Sequence, residues 1–227
     1  MIRLFVSEKL SAQKNILLTQ EQTHYLLHVM RLKEKDCLAV FNGQDGLWTA
    51  SFQPEKKKAI LCVLEQIQQQ QNLPFLGLAL ACIKKENLEL VIQKATELGV
   101  SDIFLLFTEH TVHRKVNLER LNAIAIEACE QSERLCLPTI HPPVSFLEFV
   151  AQKKDFNLYF LAERTDLKKT LKIQKPCFVI GPEGGFSEAE KKQFPAENTI
   201  SLGSQILRAE TASIGILSAY QFSFVFK

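Results

Sequence analysis

The 227-residue chain is 46% hydrophobic and 23% charged, the composition of an ordinary soluble globular protein of one or two domains. Its 27 Lys and Arg against 25 Asp and Glu leave a net charge of +2. That excludes a polybasic tail and confines any nucleic-acid site to a local patch. No apolar run approaches the ~18 residues of a membrane helix, and the first residues lack the apolar core of a secretory signal. Six cysteines without a CxxC pair exclude disulfide frameworks and zinc ribbons. A cytoplasmic location, no membrane partner and mostly buried free thiols are expected.

In chain order, residues 2–6 read as a strand. Thr19, with Gln22 three residues on, has capping-box spacing and opens a helix carrying His24, Leu27, Val29 and Met30. Residues 37–41 and 47–52 read as strands around Asn42-Gly43-Gln44-Asp45-Gly46, a hairpin signal. A further strand spans 59–67. The glutamine-rich stretch that ends at Pro74 reads as a linker. It separates a small β-barrel domain, 1–70, from a second domain, 74–227. Residues 1–74 hold 9 basic and 7 acidic side chains and the remainder 18 of each, so the smaller part carries the net positive charge.

The second part alternates strand and helix. Residues 76–83 are continuously apolar, as in a strand buried on both faces. Leu88, Val91, Ile92, Ala95 and Leu98 follow at helical spacing, with Gly99 as the C-terminal cap. A strand over 103–107 precedes a helix through Leu118, Leu121, Ala125, Ala128 and Cys129. Ser145 with Glu148 caps a short helix before a strand over 156–161. Strand 178–180 runs into Gly181-Pro182-Glu183-Gly184-Gly185, and Ser187 with Glu190 caps the next helix. Residues 200–202 lead through Gly203 to a final helix over about 207–225. Such alternation predicts an α/β fold with a parallel sheet.

Ligands of open α/β sheets bind beyond the carboxyl ends of strands. Three such ends are polar or glycine-rich: Leu161-Ala162-Glu163-Arg164-Thr165, residues 180–185, and residues 202–211. Glycines let backbone approach a ligand closely, which suits an adenine, a ribose or another small polar group. The Gly181–Gly185 loop has neither Walker nor GxGxxG spacing, so kinase and dehydrogenase readings lack support. Arg208 opens an apolar helix whose dipole disfavours a cation there. Either it pairs with Glu210 or Glu183, or it faces developing negative charge. Lys84, Lys85, His110, His113, Arg114, Lys115, Arg120 and Arg134 are candidates for a phosphate-binding surface, with a solvated charged face as the rival. His24 and His28 lack a third metal ligand, so no metal is expected and they read as a helix face toward RNA or solvent.

Assembled, these segments resemble the RsmE family of 16S ribosomal RNA uridine-N3 methyltransferases, within the SPOUT superfamily. The resemblance rests on His24-Tyr25-Leu26-Leu27-His28-Val29-Met30-Arg31-Leu32 with Asp36 and Phe41-Asn42-Gly43. It extends through Lys94-Ala95-Thr96-Glu97-Leu98-Gly99-Val100 and Glu127-Ala128 with Gln131-Ser132, Arg134 and Pro138. Its strongest parts are Ile180-Gly181-Pro182-Glu183-Gly184-Gly185-Phe186, and Leu202-Gly203 with Ile206-Leu207-Arg208-Ala209-Glu210-Thr211-Ala212. Three residues depart from the pattern: Lys35 where a glycine is usual, His110 where arginine is common, and Glu133 where a small residue is.

The resemblance implies a trefoil-knotted SPOUT methyltransferase domain behind a PUA-like RNA-binding domain, acting as a homodimer on small-subunit rRNA, free or assembled, and not on DNA. It implies S-adenosylmethionine held by Leu161, Ala162, Glu163, Ile180, Gly181, Pro182, Glu183, Gly184, Gly185, Leu202, Gly203, Ile206, Leu207, Thr211 and Ala212. Arg208 is the expected charge stabiliser, with Glu183 and Glu210 as rival bases or orienters of Arg208. His24, Arg31, Lys84, His110, Arg114, Lys115 and Arg134 are expected to meet RNA. The apolar final helix, with Ile214, Ile216, Leu217, Tyr220, Phe222, Phe224 and Val225, agrees with dimerisation. A ribose 2′-O-methyltransferase and a non-catalytic RNA-binding assembly factor remain as rivals.

Overall fold

The computed structural model describes residues 1–55, 58–152, 155–162 and 174–222. The chain divides into two compact units, residues 1–72 with 129–137, and residues 73–128 with 138–227.

The first unit contains β1 (Arg3–Phe5), β2 (Asn15–Leu17), α1 (Gln20–His24), β3 (Cys37–Phe41), β4 (Leu47–Pro54) and β5 (Ala59–Gln68). They form a five-stranded sheet in the order β1-β3-β4-β5-β2. Only β1 and β3 pair in parallel. Leu26, Leu38, Val40, Phe52, Leu61 and Val63 fill its core. The β3–β4 loop is closed by its own side chains. Asn42 Oδ1 accepts from the Gln44 and Asp45 amides, and Asp45 Oδ2 accepts from Leu10 N at 2.8 Å and from Asn42 Nδ2 at 2.7 Å. The Leu10 amide, then Asn42, hold the Asp45 carboxyl below its ordinary pKa. Gly46 adopts φ +81, and a Cβ there would run into the Gln68 carbonyl.

The capping box at Thr19 and Gln22 forms, but α1 gives way after five residues to a π-turn over Tyr25–Val29, with Met30 N bonded to Tyr25 O. A π-turn adds a residue to the helical repeat. The His24 and His28 rings lie 4.8 Å apart.

The second unit holds β6 (Gly77–Ala81), α2 (Lys85–Glu97), β7 (Asp102–Phe107), most of α3 (Leu118–Ser132), β8 (Thr139–Ser145), α4 (Phe146–Ala151), β9 (Asn157–Leu161), β10 (Pro176–Ile180), α5 (Glu188–Lys191), β11 (Thr199–Ile200) and α6 (Ala209–Phe222). The sheet order is β11-β9-β10-β6-β7-β8, and every pair is parallel. Alternate residues serve opposite faces. Leu78, Leu80, Ile103, Leu105, Phe178 and Ile180 pack with α2, α3 and α6, while Ala79, Phe104, Leu106, Cys177 and Val179 pack with Phe146, Phe149 and Phe186. Both faces are covered, which is why these strands read as unbroken apolar runs.

α6 is less enclosed than its composition suggests. Ala209, Ser213, Ile216 and Leu217 are buried and the Tyr220 ring packs edge-on against Phe178, while Thr211, Ala219 and Phe222 are exposed. Phe224 and Val225 lie outside the described residues. Of the six free thiols, Cys37 is exposed, against the expectation of general burial. Among the described residues no helix is long and apolar enough to cross a membrane.

Lys35 stands at φ +70, a left-handed conformation that costs an L side chain ~1–2 kcal/mol and glycine almost nothing. Its amide still donates to Phe52 O at 2.8 Å, so the turn is held in place. Lys35→Gly should therefore stabilise the first unit by roughly 1 kcal/mol, read as a higher denaturant midpoint at unchanged slope. An unchanged midpoint would mean that the turn carries no strain.

Candidate functional site

β11, β9 and β10 are neighbours and parallel, so their carboxyl ends emerge side by side. The β9 end is tied to β11 by Ala162 N donating to Ile200 O at 2.9 Å, with Leu161 and Ala162 half-buried. Glu163 and the rest of that loop, through residue 173, lie outside the described residues.

The β10 loop is built around Phe186, whose buried ring packs on Phe146 and Phe194 at 5.1 and 4.9 Å. A Cβ at Gly181 would stand 2.8 Å from that ring, so the glycine is required by packing. Gly185 N donates to Pro182 O at 2.9 Å, closing a turn that exposes Glu183 and Gly184. Gly185, at φ +68, has nothing among the described residues within 4 Å of a would-be Cβ, and neither has Gly203 at φ +129 in the β11 loop. Both glycines therefore border open space.

Beside Gly203, whose carbonyl accepts from Ser201 Oγ at 3.0 Å and whose N–H donates to it at 3.3 Å, Leu202 and Ile206 form an apolar surface, 37% and 56% exposed. Leu207 is half-buried. Arg208 is exposed, and its carbonyl accepts from Ala212 N at the start of α6. Its guanidinium makes no ion pair or hydrogen bond among the described residues, so the pairing with Glu210 or Glu183 does not form. Glu210 is half-buried, and its Oε2 is enclosed with no hydrogen-bond partner among the described residues. Thr211 is exposed and Ala212 half-buried. Glycine-opened backbone beside an apolar edge suits an elongated ligand with a flat ring and polar groups.

The segment between β7 and α3 is latched onto the β10 loop by two side chains. His110 Nδ1 lies 3.0 Å from Gly184 O and 3.2 Å from Gly185 O. Carbonyls only accept, so Nδ1 carries the proton. Glu190, 4% exposed, accepts from Glu109 N with one oxygen and from Ser187 N with the other, each at 2.9 Å. The Ser187–Glu190 spacing announced the cap; the reach to Glu109 has no sequence signal.

Beyond the latch the same segment walls a cleft of about 610 Å³, shared with the β6–α2 turn and lined by Lys85, Glu89, His113, Arg114, Lys115 and Arg120 among others. Arg114 donates to Thr108 O at 3.3 Å and lies over the Phe107 ring. Lys84 is exposed beside Glu86, 3.4 Å away. Burial pushes the Cys82 thiol in the cleft wall up to about 11, opposed by Arg114, so it stays protonated and is no nucleophile. Of the expected phosphate-binding cations, Arg134 stands apart: it belongs to the first unit, half-buried, and desolvation lowers its pKa. His24 and Arg31 are exposed there. Glu133 is paired with Arg3 at 2.8 Å, so its added charge is neutralised.

Residues 69–221 match the family model described as an RNA methyltransferase domain, and residues 18–65 match an RNA methyltransferase PUA domain. The chain is 35% identical over 223 residues to the ribosomal RNA small subunit methyltransferase E of Rickettsia conorii, covering 93% of this chain and 91% of that one. A Legionella pneumophila structure in complex with SAM superposes with a TM-score of 0.85 at 30% identity, covering 98% and 97% of the two chains. The ribosomal RNA small subunit methyltransferase E of Neisseria gonorrhoeae, bound to S-adenosyl methionine, gives 0.85 at 26% identity over 98% of each.

The latch is testable by itself. His110→Ala removes a hydrogen bond worth about 1 kcal/mol and should speed amide exchange at Gly185 roughly fivefold. His110→Asn, whose amide nitrogen stands near the Nδ1 position, should keep exchange slow. Equal exchange in all three proteins would show that His110 does not hold the loop.

Proposed function

The chain belongs to the ribosomal RNA small subunit methyltransferase E family, and on that premise we propose that it transfers a methyl group from S-adenosylmethionine to N3 of a uridine in 16S ribosomal RNA. The observation that carries the reading is the set of adjacent parallel strand ends whose glycines, Gly185 and Gly203, border open space next to exposed Leu202 and Ile206. Leu161, Ala162, residues 180–185, Leu202, Gly203, Ile206, Leu207, Thr211 and Ala212 would hold the cofactor. Bound there, S-adenosylmethionine supplies an electrophilic methyl group.

The chain's own task is to bind, orient and manage one proton. Removing the proton from uracil N3 leaves negative charge shared with the ring oxygens. Arg208 gains nothing from the helix dipole at the start of α6, and a developing anion gives its guanidinium, which has no partner among the described residues, something to pair with. Glu183, exposed on the β10 loop, and Glu210, with its unpartnered Oε2, are the rival proton acceptors or orienters of Arg208. The PUA match and the exposed His24 and Arg31 support RNA binding by the first unit. The reading takes in the trefoil knot, a homodimer through the exposed apolar side of α6, and a cytoplasmic setting with the small subunit.

Incubation with 16S rRNA and labelled cofactor, followed by nucleoside mass spectrometry, should yield 3-methyluridine. A 2′-O-methylated product, or none from either free 16S rRNA or assembled small subunits, would sink the reading. Arg208→Ala should lower single-turnover methylation by about 10²–10³ with little change in cofactor affinity, and lysine should restore it only in part because it lacks the planar fork. Normal turnover would pass the role to Glu183 or Glu210. Gly185→Val should weaken cofactor binding at least tenfold, about 1.4 kcal/mol; unchanged affinity in a folded variant counts against the pocket.

A further inference from the structure

We propose that the cleft at the carboxyl ends of β6 and β7 is a ribonucleotide-binding subsite: its rim cations take the phosphate of one residue of single-stranded RNA, and Glu89 accepts a hydrogen bond from that residue's ribose 2′-hydroxyl. The proposal deepens the RNA-modifying reading above and rests on it.

The cleft has a nucleotide's scale, about 610 Å³ against ~300–1,000 Å³ for small-molecule sites generally. Lys85, Arg114, Lys115 and Arg120 surround a single carboxylate, Glu89, so the field there favours an anion. Lys85 and Arg120 are held loosely, 3.8 and 3.5 Å from the Glu89 oxygens, beyond the ~2.7–2.9 Å of a formed charge-assisted bond. Their side chains are 78% and 49% exposed, so a phosphate can recruit them at little cost.

Glu89 supplies the second requirement. Its side chain is 22% exposed, yet Oε1 is enclosed, with Lys85 Nζ 3.8 Å away and no hydrogen bond formed among the described residues. An enclosed acceptor without a formed hydrogen bond is unfavourable, so a ligand whose phosphate draws Lys85 off Oε1 must bring an O–H or N–H in its place. An inorganic phosphate brings negative charge without the sugar hydroxyl, and a cation meets four like charges. A ribonucleotide brings both groups, and the 2′-hydroxyl is the one DNA lacks. Exposed Val112, on the rim, adds an apolar contact for the sugar or base.

The position is also apt. β6 is the neighbour of β10, so the cleft begins about one strand spacing, ~4.8 Å, along the sheet from the β10 loop. The cleft wall and that loop are the two segments joined by His110 and Glu190.

The test uses the full chain, fluorescent decamers of oligouridine RNA and oligodeoxyuridine, and anisotropy over a salt series. The wild type should prefer RNA at least fivefold. Glu89→Leu should abolish that preference by weakening RNA alone, whereas Glu89→Gln, which keeps an accepting oxygen, should retain it. Lys115→Gln should weaken both strands alike and lower the salt slope by about one. If Glu89→Leu instead tightens RNA and DNA equally, Glu89 is a simple counter-ion and the proposal falls. A footprint needs no variant: bound RNA should slow acetylation of Lys85 and Lys115, and unchanged acetylation in the complex overturns the subsite. Cleft binding without methyl transfer would fault the function reading and leave the subsite standing.

Discussion

Parallel pairing is the constraint on which everything else in the second unit depends. Because β6, β7, β9, β10 and β11 all run the same way, each releases its following loop at one end of one sheet. The four described loops among them, after β6, β7, β10 and β11, come from segments scattered between residues 82 and 208 and are thereby collected within a few strand spacings. Pairing in parallel also requires helical crossovers on both faces, and these bury the apolar runs that hold the strands in register. The glycines at 181, 185 and 203, the cations of the cleft and Arg208 have separate local origins. The sheet brings them to the same end.

Packing then decides the shape of each loop. Phe186 is the clearest case, since its ring occupies the space a side chain at residue 181 would need and anchors the turn to the Phe146 and Phe194 cluster. Glu190 acts at longer range. A buried carboxylate is tolerated when backbone N–H groups satisfy it, and Glu190 draws those groups from two segments far apart in sequence. The charge that caps a four-residue helix thus also fixes the entrance to the basic cleft.

What was legible in the sequence follows physical lines. Period-3.6 and unbroken apolar runs located α2, α3, β6, β7 and β10, because burial on two faces leaves no polar residues to confuse the pattern. β8 escaped notice because Pro142 and Pro143 interrupt it, and prolines are accommodated there because β8 is the edge strand. The π-turn after α1 escaped because its stretch has the composition of an ordinary helix. Capping boxes at Thr19 and Ser187 were visible as spacings, whereas the hydrogen bond from His110 to the β10 loop had no such signal. Contacts across long sequence separations leave no periodic trace.

Residues 129–137 belong with the first unit, where Cys129 and Leu135 close a cluster with Ala39, Phe41 and Leu47, and Arg3 reaches Glu133. A growing polypeptide therefore cannot complete its amino-terminal unit when residue 72 is made. Phe41 and Leu47 stay uncovered until more than half of the chain has been synthesised, because their cover is encoded some ninety residues later. Domains usually mature from the amino terminus as each is finished, but here the two units must mature together. Such discontinuity delays the long-range closure on which the first unit depends, and it ties the two halves of the gene to one another: neither can be exchanged or trimmed at the glutamine run without uncovering the other's apolar partners.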